Sequence, residues 1–159
     1  MKLIVFSDTH GSELACEAIY RAETDADVFF HLGDGYAQAE ALRMEHPLLA
    51  LVCVRGNCDF TADDADAKTA TFCGKKILFT HGHRFGVKSG MAGLHSEAVR
   101  QGADIVLFGH THRALSETMQ GLYVVNPGTA GVGAMCTYAC IETRDGAIRS
   151  AGIHAIPEV

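Results

Sequence analysis

Apolar residues in the first part of the chain come in short unbroken runs rather than in strict alternation. Lys2 to Phe6, Val28 to His31 and Leu49 to Val54 are such runs, rich in β-branched or aromatic residues and followed by turn residues. They read as strands buried on both faces. Between them the spacing turns helical. Leu14, Ala15, Ala18, Ile19 and Ala22 recur behind Ser12, a good N-cap, and an Ala-, Glu- and Gln-rich stretch runs from about Ala37 to Glu45 before His46-Pro47.

After Val54 the rhythm changes. Asp63-Asp64-Ala65-Asp66 reads as an exposed acidic loop, and Thr69 to Phe72 and Lys76 to Thr80 as two strands joined around Gly74-Lys75. A helix is expected from about Lys88 to Gln101, with Met91, Leu94 and Ala98 inward and Gly102 closing it. Ile105 to Phe108 is the next strand. The remainder reads as all-β: Leu122 to Asn126, Thr137 to Glu142 and Ala147 to Ile153, the last two turning at Asp145-Gly146. Early strand–helix alternation followed by strands predicts an α/β fold of two mixed sheets packed as a sandwich, with helices on the outside. A plain doubly wound sheet is the alternative. The 159 residues are expected to form one domain, residues 1–159, and are too few for a (β/α)8 barrel.

Composition narrows the class. At 48% hydrophobic and 20% charged, the chain has material for an ordinary core. Its six cysteines include no C-x-x-C pair, and several fall inside predicted strands, which favours reduced thiols and a cytoplasmic protein. The opening apolar run is too short for a signal peptide, and no stretch reaches the ~18 apolar residues of a membrane span. No membrane partner is therefore expected. A net charge of −6 argues against a nucleic-acid partner. Divalent cations in an acidic cleft would nevertheless reverse the local sign for a phosphate.

The residues able to do chemistry gather at the ends of the predicted strands. Five segments place ligand-type residues in a Gly-containing turn after an apolar run: Asp8-Thr9-His10-Gly11, Gly33-Asp34-Gly35, Gly56-Asn57, His81-Gly82-His83 and Gly109-His110-Thr111-His112. In α/β proteins strand carboxyl ends share an edge, so these segments are expected to converge. Carboxylate, imidazole and amide oxygen together suit Mn²⁺, Fe²⁺, Zn²⁺ or Ni²⁺ rather than a thiolate-loving ion. Asp-x-His or Gly-Asp-Gly alone is more often a capped or tight turn. Five such segments in order point to metal.

These motifs resemble the five ordered motifs of the calcineurin-like metallophosphoesterases. Gly56-Asn57-Cys58-Asp59 and the short chain are most similar to the family's small prokaryotic YfcE-like phosphodiesterase branch. The resemblance implies an αββα sandwich and a dinuclear site, with Mn²⁺ the first choice and Ni²⁺, Zn²⁺ or Fe²⁺ as others. Asp8, His10 and His112 would hold one metal, and Asn57, His81 and His110 the other, with Asp34 bridging. It also implies hydrolysis of a small-molecule phosphodiester, Asn57 counting with the catalytic groups. Many relatives carry His after the Asn ligand, where it protonates the leaving oxygen. Cys58 stands there in this chain, a poor acid for the purpose, and this points to diesters. Asp59 or His83 is the expected substitute proton donor. Two other readings stand: a non-catalytic protein-binding scaffold of the same fold, and a phosphomonoesterase. A homo-oligomer is possible, through strands of the tail. His31 is read as orienting a ligand or as a satisfied strand residue, while His46, His95 and His154 are given no chemistry. Asn126-Pro127-Gly128-Thr129 resembles the family's closing turn near the site and reads equally as a tight turn.

Overall fold

In a computed structural model, residues 1–158 are described, and they build two five-stranded sheets with three helices. Strand β1 (Lys2–Phe6) leads to helix α1 (Glu13–Ala22), β2 (Val28–His31), α2 (Tyr36–Glu45) and β3 (Leu51–Cys53). Then come β4 (Ala67–Phe72), β5 (Lys75–Thr80), a 3₁₀ turn at His83–Phe85, α3 (Ala92–Gln101) and β6 (Ile105–Phe108). The chain continues with β7 (Leu115–Met119), β8 (Leu122–Asn126), β9 (Thr137–Arg144) and β10 (Ala147–Ala155). One sheet runs β10-β9-β1-β2-β3 and the other β4-β5-β6-β8-β7.

The unbroken apolar runs have a simple cause. Successive side chains of a strand point to opposite faces, and here both faces are covered. Leu3, Val5, Val28 and Phe30 of the first sheet meet Ile77, Phe79, Ile105 and Leu107 of the second in one core. Ile4, Phe6 and Phe29 point the other way, onto Cys16 and Ile19 of α1 and Leu42 of α2. Leu78, Val106 and Val124 pack likewise against Leu94 and Ala98 of α3. The expected sandwich with outer helices is what forms. The doubly wound alternative is not.

Parallel pairing sets the position of the site. β1, β2 and β3 run parallel in one sheet, and β5, β6 and β8 in the other. The segments after them therefore emerge together.

The structure corrects four local expectations. Helix α3 begins at Ala92 rather than near Lys88, because the chain turns again after the 3₁₀ turn and Gly90, at φ 150°, breaks helical geometry just before it. Leu14 lies on the exposed side of α1, where Cys16 takes its place in the buried stripe. The acidic loop is not freely exposed: Asp66 is half-buried between Arg55 (2.9 Å) and Arg84 (2.9 Å), and Asp64 binds Lys68 (2.7 Å). The tail is divided between sheets, with β8 beside β6 and β9 returning to pair antiparallel with β1, while β7 was not foreseen.

Ser12 caps α1 as expected, its hydroxyl accepting the Ala15 N–H at 3.2 Å. All six cysteines are free thiols. Among the described residues no helix is long and apolar enough to cross a membrane.

His31, at the end of β2, is fully buried. Its Nδ1 accepts the Gly33 N–H at 3.3 Å and its Nε2 lies 3.5 Å from the Thr9 hydroxyl, so it holds two of the turns that carry site residues. Burial lowers its pKa from 6.5 to about 4. The folded state then refuses a proton that the unfolded chain accepts. Its contribution to stability is complete above pH 6.5 and is lost as pH falls toward about 4, with a slope of about 1.4 kcal/mol per pH unit in that window. Urea denaturation of wild type and His31→Gln across the window checks this. The variant should decline less steeply, and parallel declines would refute the assignment.

Candidate metal centre

The five segments converge, and their backbones are unusual. Eight non-glycine residues have positive φ among those described, and five of them are Asp8, His10, Asp34, His110 and His112. The other three, Cys73, Gln120 and Asp145, precede glycines in hairpin turns, where such φ is ordinary. Positive φ costs a β-carbon residue roughly 1–3 kcal/mol, and residues so held cluster at functional sites. The turns also touch. A Cβ on Gly56 would lie 2.2 Å from Asp34 Oδ1, and one on Gly109 would lie 2.1 Å from Ser7 Oγ and 2.9 Å from Asp8 Oδ2. Only glycine lets these backbones approach so closely.

Two groups of side chains result. In one, the buried Asp8 carboxylate lies 3.0 Å from His112 Nε2, and His112 Nε2 lies 3.3 Å from His10 Nε2. Asp8 is oriented by the His110 N–H, which donates to its other oxygen at 3.1 Å. In the second, His81 Nδ1 donates to the Leu32 carbonyl at 2.8 Å, which fixes the ring. Its Nε2 then faces Asn57 Oδ1 at 3.1 Å, His110 Nδ1 at 3.1 Å and Asp34 Oδ2 at 3.4 Å. Asp34 Oδ2 also lies 4.0 Å from His10 Nε2, so this carboxylate stands between the groups.

The electrostatics bear on what the two groups can hold. Burial opposes an imidazolium at His81, but the Asp34 hydrogen bond and the charges of Asp8 and Asp34 outweigh it and raise its pKa. Burial likewise opposes the Asp34 carboxylate, yet His81 and the Cys58 N–H, donating at 2.7 Å, hold its pKa below the usual range. Burial, then the charges of His81 and Lys88, push His110 down to about 4. Lone pairs from nitrogen and oxygen thus face one another in two places. One proton can satisfy only one such contact, whereas a cation accepts several donors at once. The donor set fits divalent metal. The side chains of Asp8, His10 and His112, and those of Asp34, His81 and His110, each have ligand atoms within 4.8 Å of one another.

Asp59, expected as a proton donor, has its carboxylate engaged elsewhere. Its oxygens accept the backbone N–H groups of Asp34 (2.8 Å), Gly35 (2.9 Å), Tyr36 (2.9 Å) and Gly56 (2.8 Å). It thereby caps α2, whose own N-cap, Gly35, has no side chain to do so. His83 opens the 3₁₀ turn with its ring 5.4 Å from that of His81, and its Nδ1 is buried without a partner. Burial first, then the charge of His81, lowers its pKa. Cys58 is largely exposed at the rim, and partial desolvation of its thiol, then the Asp34 carboxylate beside it, raise its pKa.

Asn126 and Thr129 clamp the site from beneath. Asn126 Nδ2 donates to the Gly109 carbonyl (3.0 Å) and to Thr111 Oγ1 (3.1 Å), and Thr129 Oγ1 donates to the Asp8 carbonyl (3.1 Å). In the sequence their Asn-Pro-Gly-Thr turn signals this role, and it fits an ordinary tight turn equally well. Of the remaining histidines, His46 pairs with Glu17 at 2.8 Å and His154 stacks on Tyr138, both away from the site.

Comparison with known proteins agrees with this picture. The model of the calcineurin-like phosphoesterase superfamily domain matches residues 1–146. The probable metallophosphoesterase YsnB of Bacillus subtilis is 38% identical over 131 residues, covering 81% of this chain and 75% of that protein. Phosphodiesterase YfcE of Escherichia coli K12 is 30% identical over 155 residues, covering 83% and 80%. Among solved structures, a predicted phosphoesterase from Streptococcus pneumoniae superposes with a TM-score of 0.80 at 25% identity, covering 97% of each chain. Vps29 of Entamoeba histolytica complexed with Zn²⁺ shares the fold, with a TM-score of 0.76 at 20% identity over 98% of each chain.

Proposed function

The chain belongs to the calcineurin-like phosphoesterase superfamily, and from that premise we propose that it is a phosphodiesterase working with two divalent cations. The observation that carries the reading is the pair of lone-pair clusters meeting at Asp34. Asp8, His10 and His112 would hold one cation, and Asn57, His81 and His110 the other, with Asp34 placed to be a ligand to both. When bound, such a pair supplies an activated water and polarises the phosphoryl oxygens for in-line displacement. The chain's own part is preorganisation. Leu32 fixes the face that His81 presents, the Cys58 N–H fixes the Asp34 carboxylate, and the His110 N–H fixes Asp8. Outer hydrogen bonds of this kind set ligand orientation and basicity.

Leaving-group protonation is the weak point of the site, and this favours diesters over alkyl monoesters. Cys58 occupies the rim with a raised pKa and does not serve as a good acid near neutrality. We assign Asp59 to positioning, because both its oxygens are bonded to backbone donors. His83 remains as the group for a proton donor, beside His81 and His110. Mn²⁺ suits the mixed nitrogen and oxygen donors, with Ni²⁺, Zn²⁺ and Fe²⁺ as competitors. The chain acts as one catalytic domain on a small-molecule diester.

Metal occupancy alone does not separate this reading from a protein-binding scaffold, since Vps29 has this fold and was solved with Zn²⁺. Turnover does. Metal-stripped protein should be inactive toward bis(p-nitrophenyl) phosphate and p-nitrophenyl phosphate, and Mn²⁺ should restore diester hydrolysis well above monoester hydrolysis. No turnover with Mn²⁺, Ni²⁺, Zn²⁺ or Mg²⁺, from protein shown to bind two ions, would leave the scaffold reading. Faster monoester hydrolysis would make it a phosphomonoesterase.

A further inference from the structure

A cleft of about 500 Å³ opens from one side of the metal centre, within the size range of small-molecule sites. His10, Asp34 and Cys58 form its inner end, so it is continuous with the place where a phosphoryl group would sit. Its outer part runs past Gln38 to Phe60 and Asp63. We propose that this cleft receives one ester substituent of the substrate, and that the substituent is aromatic and uncharged, stacking on Phe60. The proposal rests on the phosphoesterase reading and adds the substrate class to it.

Three observations support it. Phe60 is 89% exposed, so its ring face has no cover from the chain. Single exposed apolar residues are ordinary on protein surfaces, but this one lines the cleft that leads to the metal centre. Its base is also rigid. It directly follows Asp59, whose carboxylate is fixed by four backbone N–H groups, and the Ala62 N–H closes the turn onto the Asp59 carbonyl at 3.2 Å. A backbone already fixed leaves only the two side-chain torsions of Phe60 to be ordered when a second ring stacks on it. The third observation is charge. Among the described residues no lysine or arginine lines the cleft, whereas Asp34, Asp59 and Asp63 do. Asp34 and Asp59 are already bonded, which leaves Asp63 to meet an incoming group. A second phosphate or a carboxylate would meet like charge without a partner, and a flat neutral ring would not.

Non-hydrolysable phosphonates separate this proposal from the reading beneath it, because they report binding rather than turnover. Calorimetry on Mn²⁺-loaded protein should show phenylphosphonate binding about tenfold more tightly than methylphosphonate, the lower range of ring stacking. 4-Carboxyphenylphosphonate should bind more weakly than phenylphosphonate, and Asp63→Asn should narrow that gap. Phe60→Ala should bring phenylphosphonate to the level of methylphosphonate and leave methylphosphonate unchanged, while Phe60→Trp should preserve the preference. Equal affinities in wild type, or a preference that survives Phe60→Ala, would overturn the proposal. So would sedimentation showing a wild-type dimer that Phe60→Ala dissociates, because Phe60 would then be a contact between copies. If methylphosphonate does not bind to metal-loaded protein at all, the phosphate-site reading fails, and the proposal with it.

Discussion

Asp34→Ala is expected to slow diester hydrolysis roughly a thousandfold or more and to lower the bound metal below two ions per chain. The carboxylate stands near both clusters, 3.4 Å from His81 Nε2 and 4.0 Å from His10 Nε2. Without it, nitrogen donors are left on each side with nothing shared between them. If the pair of cations contributes about 4 kcal/mol to the barrier, losing it costs about three orders of magnitude. The part-buried Cys58 N–H also loses its acceptor, which lowers stability by about 1 kcal/mol. Metal analysis and steady-state rates on the same preparation check both halves. A metal-replete variant with near-wild-type turnover would refute the bridging role.

Asp59→Ala is expected to give the largest loss of stability among the site variants, about 2–4 kcal/mol, with most of the activity lost as well. Four backbone donors converge on one side chain, and they belong to the turns that carry Asp34 and Asn57 and to the first turn of α2. Removing the acceptor uncaps the helix and loosens both turns together. Asp59→Asn retains one acceptor oxygen and should recover part of the stability and rate. A positioning residue makes a further prediction. The residual activity should keep the wild-type pH profile and the wild-type dependence on leaving-group pKa, because no proton donor has been removed. Unchanged thermal stability, with loss confined to poor leaving groups, would return Asp59 to the role of acid. Thermal melts and a leaving-group series decide between the two.

Legibility in the sequence differs from residue to residue. Asp8, His10, Asp34, Asn57, His81, His110 and His112 stand out because each comes after a strand whose apolar run is unbroken. That run is unbroken for a physical reason, since β1, β2, β5 and β6 are covered on both faces. The cap at Ser12 and the hairpin at Asp145-Gly146 are readable for the same kind of reason, because each is a contact between near neighbours in sequence.

Other features have no local signature. β7 is a half-exposed edge strand, and nothing in Leu115–Met119 announces it apart from its pairing with β8. The helix expected from Lys88 is delayed to Ala92 by a further turn and by Gly90, whose positive φ appears only in the folded chain. Asp59 looks like a free acid in the sequence because its partners are backbone N–H groups, and every residue but proline has one. The strand ends, the donor atoms they carry and the class of chemistry those atoms suit are legible in the order of residues. Which strands pair, which carboxylate lies between the two clusters and which is locked in place emerge only on folding, because those depend on distances between segments far apart along the chain.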